Sequence, residues 1–430
     1  MISDFFYIHL HEIETVVTMK RITMVAVACV IALSASAQSR EDLENFKKQQ
    51  QAGMQKTSEE FKQFADKRLE EYLNYEKQLK AEYEAFKKEI MDKWGDRTMV
   101  ESSQKKWVEY GEDKDSRTTV DFEKGKVTVE VLADPTDDDK QIEKKLEKAV
   151  SGLINSKGKT VDFDSKVIPN KPLSNEPLLK DQIDFSKYSS LNLKKKNQPK
   201  NDTKKKEESM TKAQTKEIPK AVVKEEKPVT TPVKTVQGEK KIVKIEMELV
   251  EDHIPKRAEQ FKGIIKTQSN NYSVDEPLIY AIMEQESSFN PAAKSFVPAY
   301  GLMQLVPKSG GRDAYNFVHK QDIIPSADYL YNPENNIQLG TGYLQLLMTR
   351  YFAGVKDPQC RMLCAIAAYN TGAGNVSRAF TGNTNINKAI PHINKLTYDQ
   401  LYEHLKSKLP HAETRDYVQK VTSKMEKYKK

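Results

Sequence analysis

From Glu41 to Trp94, apolar residues at Phe61, Phe64, Leu69, Tyr72, Tyr75, Leu79, Tyr83, Phe86 and Ile90 recur at helical spacing among alternating charges. That spacing predicts a long amphipathic helix or a short coiled coil over residues 41–94, because a period near 3.6 keeps those side chains on one stripe. The period then drops to two. Thr118 to Phe122, the turn Glu123-Lys124-Gly125-Lys126, and Val127 to Ala133 read as a hairpin with one apolar face. A helix is expected at about Asp138 to Asn155, with Ile142, Leu146, Ala149, Val150 and Leu153 on one side. Strict alternation returns from Ile242 to Val250. Leu278, Ile279, Ile282 and Met283 then restore the helical period. Ser273 or Asp275 is the candidate cap of that helix, Pro277 falls in its first turn, and Asn290-Pro291 marks its end.

Composition divides the chain. Its 430 residues suffice for two or three domains, but 38% hydrophobic and 30% charged residues, with a mean hydropathy of -0.71, are too polar for one continuous core. Residues 193–241, rich in Lys, Glu, Pro and Thr and nearly without aromatics, read as a disordered lysine-rich linker. The net charge of +7 is assigned mainly to solvated lysines there. No nucleic-acid partner is expected, because the basic run has no interleaved aromatics. Met19-Lys20-Arg21 followed by an apolar run and the small residues Ala35 and Ala37 reads as a signal peptide cut after Ala37, with residues 1–18 upstream of it. Cys29 invites a lipidation reading, but the apolar run after it favours cleavage at Ala37. No other stretch approaches the ~20 apolar residues of a membrane span. Cys360 and Cys364, at i and i+4 beside apolar neighbours, read as core residues. His253, His319, His392, His404 and His411 are scattered, so neither a metal nor a cofactor is expected.

The chemistry concentrates in three blocks: I-M-E-Q-E-S-S-F-N-P at 282–291, G-L-M-Q at 301–304 and A-Y-N at 368–370. From the residues alone, Glu286 sits in the last turns of its helix. There the negative end of the helix dipole and nearby Phe289 both disfavour ionisation, and a carboxyl still protonated near neutral pH can act as a general acid. Glu284, two positions away, points elsewhere. Gly301 lets backbone approach a ligand, while Met303 and Gln304 offer an apolar surface and an amide. In order and spacing the blocks resemble the signature of lysozyme-like lytic transglycosylases, which cut the glycan strands of peptidoglycan.

The resemblance implies Glu286 as the single catalytic acid and then base. It implies a groove lined by Ser295, Gly301, Met303, Gln304, Tyr369, Asn370 and Tyr417, with Ser287 and Glu413 in support. Tyr369 would aim its hydroxyl at the acid and sugar. Pro298-Ala299 departs from the commoner pattern after the serine. The layout W-G…F-E-K-G-K-V-T-V-E-V-L-A-D, with the alternating run at 242–250 leading to D-H-I-P-K-R-A, is similar to the membrane-bound lytic murein transglycosylase C family. The expected architecture is therefore an α+β N-terminal domain at 95–192 after the long helix, the linker, and a mainly α, lysozyme-like catalytic domain at 242–430. The implied partner is the peptidoglycan glycan strand, with cell-envelope partners open to the N-terminal domain. The implied address is the periplasm or cell envelope, with attachment to the outer membrane left open. A hydrolytic muramidase of the goose-lysozyme kind and a non-catalytic glycan-binding protein stand as alternatives.

Overall fold

The computed structural model describes residues 40–95, 99–161, 163, 165–184, 228–296 and 298–429. The signal peptide with Cys29, and the linker as far as residue 227, lie outside the described residues. The chain forms two units, residues 1–70 and 71–430. In the first, the described part is the start of α1 (Arg40–Trp94). Met54, Phe64 and Leu69 remain exposed there, with Arg68 lying over the Phe64 ring.

In the second unit the α1 stripe is used. Phe86, Ile90 and Trp94 pack with Val108, Tyr110, Leu132 and Ile242 on one face of a sheet. The sheet comprises β1 (Lys106–Tyr110), β2 (Ser116–Asp121), β3 (Lys126–Ala133), β4 (Val229–Thr235) and β5 (Gly238–Glu248). All its pairs are antiparallel, in the order β1-β2-β3-β5-β4. The alternation read from the sequence decides the faces. Val127, Val129 and Val131 stand opposite Met247, Ile245 and Val243. They turn the other way from Leu132 and Ile242, towards α2 (Asp139–Asn155) and its buried Leu146, Ala149, Val150 and Leu153. Asp138 and Gln141 close a capping box at the start of α2.

This topology corrects the expected linker and domain boundaries. Composition predicts linker over residues 229–241 and a catalytic domain from 242; instead β4 and β5 complete the N-terminal sheet. The Pro- and Thr-rich composition that suggested coil is tolerated because β4 is an edge strand, where Pro232 deprives no neighbour of a hydrogen bond. Sequence composition alone also missed β1, a short strand following residues of mixed polarity.

Helices follow β5 directly: α3 (His253–Glu259), α4 (Lys262–Tyr272), α5 (Glu276–Ser287), α6 (Arg312–His319), α7 (Ala327–Tyr331) and α8 (Pro333–Leu346). Next come α9 (Pro358–Thr371), α10 (Ala373–Thr381), α11 (Ile386–Ile393), α12 (Tyr398–Lys408) and α13 (Ala412–Tyr428). Leu278, Ile279, Ile282 and Met283 of α5 are fully buried, as their spacing requires. One apolar core runs from the α2 face of the sheet into these helices. No helix among the described residues is long and apolar enough to cross a membrane.

Candidate active site

The helix carrying Glu286 stops earlier than Asn290-Pro291 suggests. Ser288 adopts a left-handed conformation (φ 50°) and closes α5, and Phe289 is left-handed as well (φ 60°). A non-glycine residue in that region costs roughly 1–2 kcal/mol, so two in succession need support from their surroundings. Part of it comes from Phe289, fully buried with its ring near those of Tyr280 and Tyr428. Further support comes from Ser287, whose hydroxyl donates to the Leu302 carbonyl at 2.8 Å and ties the helix end to the G-L-M-Q turn.

Glu286 is half-buried at this exit. Its Oε1 accepts a 2.6 Å hydrogen bond from the Tyr417 hydroxyl of α13. Burial pushes the carboxyl up to about 7, and the charge of exposed Glu413 adds to this; the Tyr417 hydrogen bond and the positive charge of Lys105 pull the other way. Tyr417, itself buried, is held in its protonated, donating form by burial and by the neighbouring Glu286. Glu284 provides the contrast. Burial would raise it, but hydrogen bonds from Lys424 (2.5 Å), Tyr428 (2.6 Å) and Lys427 (3.0 Å) outweigh that and hold it below the usual carboxylate range. Two glutamates on one helix thus have their affinities for protons driven apart, an arrangement in which one can carry a proton while the other stays ionised.

The remaining residues of the sequence signature are held in several ways. Tyr369 lies close enough for the charge of Glu286 to affect its hydroxyl. That hydroxyl, however, donates to the Met303 carbonyl at 2.8 Å, so Tyr417 and not Tyr369 addresses the carboxyl. Asn370 accepts from the buried Thr414 hydroxyl at 2.7 Å, joining α9 to α13. The Ser295 hydroxyl accepts the amide of Ala299 at 3.1 Å and closes its own loop around Pro298, with Phe296 fully exposed beside it. Gln304, left-handed at φ 48° and nearly buried, donates to the Gly301 carbonyl, while its Oε1 has no partner among the described residues.

Two expectations change. Gly301 (φ 76°) does not face open space for a sugar: a Cβ there would come within 2.4 Å of both the Asn336 amide and the Leu330 carbonyl. The Met303 side chain is buried against Gly340 of α8, while its amide donates to Asn336 and its carbonyl accepts from Tyr369. Asn336 is the organiser that sequence reasoning overlooked. Fully buried, it accepts from the Met303 amide at 2.7 Å and donates to the Tyr300 and Leu330 carbonyls at 2.8 and 2.7 Å. The available signal was a polar residue on the otherwise apolar stripe Ile337, Leu339, Leu344 of a helix that brings Gly340 up against the turn.

The Tyr417 contact yields a direct test. In Tyr417→Phe the carboxyl loses a hydrogen bond that favours its ionised form, so its pKa should rise and the basic limb of the pH–rate profile should move to higher pH. Loss of a hydrogen bond to a charged group, worth ~1.5–3 kcal/mol, should cut turnover roughly 10- to 100-fold. A profile unmoved in steady-state assays across pH would refute the coupling.

The transglycosylase SLT domain family matches residues 263–390, and the N-terminal domain of membrane-bound lytic murein transglycosylase C matches residues 72–197. The membrane-bound lytic murein transglycosylase C of Sodalis glossinidius is 42% identical over 193 residues, 45% of this chain and 53% of that protein. The Klebsiella pneumoniae protein of the same name is 32% identical over 346 residues, 80% of this chain and 88% of that protein. The crystal structure of the 70 kDa soluble lytic transglycosylase of Escherichia coli is 27% identical with a TM-score of 0.32, covering 41% of this chain and 25% of that one. The segment from α4 into α11 thus lies in an SLT domain, and a mixed helix and sheet region precedes it. The chain belongs to the membrane-bound lytic murein transglycosylase C family, enzymes that act on peptidoglycan.

Proposed function

We propose that this chain cleaves the β-1,4 bond between N-acetylmuramic acid and N-acetylglucosamine without water, with Glu286 as both acid and base. The observation that carries the reading is a half-buried carboxyl poised near pH 7 and held by a tyrosine hydroxyl. Near neutral pH it is protonated often enough to donate, and it is a competent base once ionised. Glu286 gives its proton to the bridging oxygen as the C1–O bond breaks, and the muramic N-acetyl oxygen bonds to C1. The Glu286 carboxylate then takes the proton of the C6 hydroxyl. O6 attacks C1 and displaces the N-acetyl oxygen, which closes a 1,6-anhydro ring and returns Glu286 to its starting state. No second carboxylate is required, in keeping with substrate-assisted exceptions to the two-carboxylate rule. Glu284 is already committed to Lys424, Lys427 and Tyr428.

Around it we assign Ser295, Gln304, Tyr369, Asn370 and Tyr417 to the substrate groove. Gly301 and Met303 act through the backbone of the turn, and Ser287 and Glu413 act in support. The unpartnered Oε1 of Gln304 suits an amide N–H of an N-acetyl sugar. Digestion of purified peptidoglycan by the mature protein should release muropeptides ending in 1,6-anhydro-N-acetylmuramic acid, lighter by one water than reducing-end products on mass analysis. Mainly reducing muramic ends would move the assignment to a hydrolytic muramidase.

A further inference from the structure

Arg257 of α3 is a cation with almost no exposure, 2%, and it takes no part in the chemistry above. Its three hydrogen bonds go to neutral oxygens in three separate segments. Nη2 donates to the Phe122 carbonyl at the end of the β2 strand (2.7 Å), Nη1 to the Gln182 side chain (2.7 Å), and Nε to the Ser288 carbonyl (3.1 Å). The guanidinium also lies 4.5 Å above the Phe122 ring. Gln182, fully buried, is fixed in turn by donating to the Leu178 carbonyl at 2.7 Å. Two residues past Ser288, the Asn290 side chain donates to the Gln104 carbonyl at 3.3 Å. Phe122 itself is paired by its amide with the Lys105 carbonyl. The left-handed Ser288–Phe289 exit, directly behind Glu286, is therefore gripped from the N-terminal region at two points. A planar fork of five donors suits three acceptors in fixed directions, and a lysine cannot reproduce it.

We propose that Arg257 is a positioning residue for catalysis: by bolting the left-handed end of α5 to the N-terminal sheet through Phe122 and Gln182, it sets the placement of Glu286, so that the N-terminal domain is a working part of the active site. This rests on Glu286 being the acid. The groups that face Glu286 are Tyr417 and Glu413 from α13, Tyr369 from α9, and Lys105 from the segment before β1. The Lys105 carbonyl accepts from the amide of Phe122, the residue that Arg257 fastens, so loosening the clamp shifts both the geometry and the charge around the carboxyl.

The test uses the full mature chain and Arg257→Lys, which keeps the positive charge but loses the fork. At KM held within about twofold, kcat should fall about 10- to 100-fold, as for an ångström-scale misplacement of a catalytic group. The basic limb should also move to lower pH as Glu286 gains water. Adding Ser288→Gly, which makes the left-handed exit easy without the clamp, should restore much of the lost kcat. Should Arg257→Lys not fold, Gln182→Ala removes one anchor from outside the catalytic helices and should move kcat and the pH limb in the same directions. Wild-type kcat in a folded variant overturns the proposal. So does a loss that tracks the unfolded fraction, leaves the pH profile unmoved and is not relieved by Ser288→Gly. Glu286→Gln assayed alongside separates the two readings. If it stays active, the acid assignment fails; if it is inactive while Arg257→Lys is normal, only the positioning role fails.

Discussion

Glu286→Gln should leave a folded protein that turns over peptidoglycan at least ~100-fold more slowly, the lower end for loss of a general acid. The amide has nearly the carboxyl's shape, and its oxygen can still accept from Tyr417 across the present 2.6 Å; it lacks only the transferable proton. Stability should not fall and at neutral pH should rise, because a carboxyl that burial has raised to about 7 ionises more easily in the unfolded chain, a cost the amide does not carry. The native enzyme should lose kcat as pH rises through about 7, where burial has placed the carboxyl, because the proton needed for the first step is then missing. Steady-state rates on purified glycan strands from pH 5 to 9, with circular dichroism on both proteins, would check both statements. Near-normal turnover by a folded Glu286→Gln protein would sink the mechanism.

Asn336→Leu should produce the largest loss of stability. It is close in volume, but it strips the amide of Met303 of its acceptor and the carbonyls of Tyr300 and Leu330 of a donor, all in a place water does not reach. One stranded buried polar group costs ~1–3 kcal/mol, so a total on the order of 3 kcal/mol or more is expected in urea unfolding. Activity should fall as well, because the G-L-M-Q turn that carries Gln304 and receives Tyr369 loses its brace. Unfolding at the wild-type denaturant midpoint would show that the turn holds itself.

Periodicity made most elements readable. The stripes of α1, α2 and α5 and the hairpin of β2 and β3 are local patterns, fixed by which face must be buried. What composition obscured was non-local. Val229 to Thr235 resembles linker in every local respect, and only the unpaired edge of β5 gives it a strand to join. In the site, Glu286 and its flanking blocks stood out because three motifs fall in one order. The resemblance pointed Tyr369 at the carboxyl, yet Tyr417 is the one that reaches it, since which hydroxyl does so depends on how α9 and α13 pack. Asn336 and Arg257 stayed hidden for a related reason: their value lies in backbone oxygens of distant segments, and those leave no mark on residue type.

The strand order has a consequence for how the chain is made. β3 ends at Ala133 and its outer neighbour β5 ends at Glu248, so its edge waits for a partner synthesised 115 residues later (248 − 133). Until β5 joins, the β2–β3 hairpin presents an open edge able to pair with other chains. The first helix of the catalytic half begins at His253, with only four residues between it and the end of β5. Completion of the sheet and the start of the catalytic fold are therefore nearly one event in the life of the nascent chain.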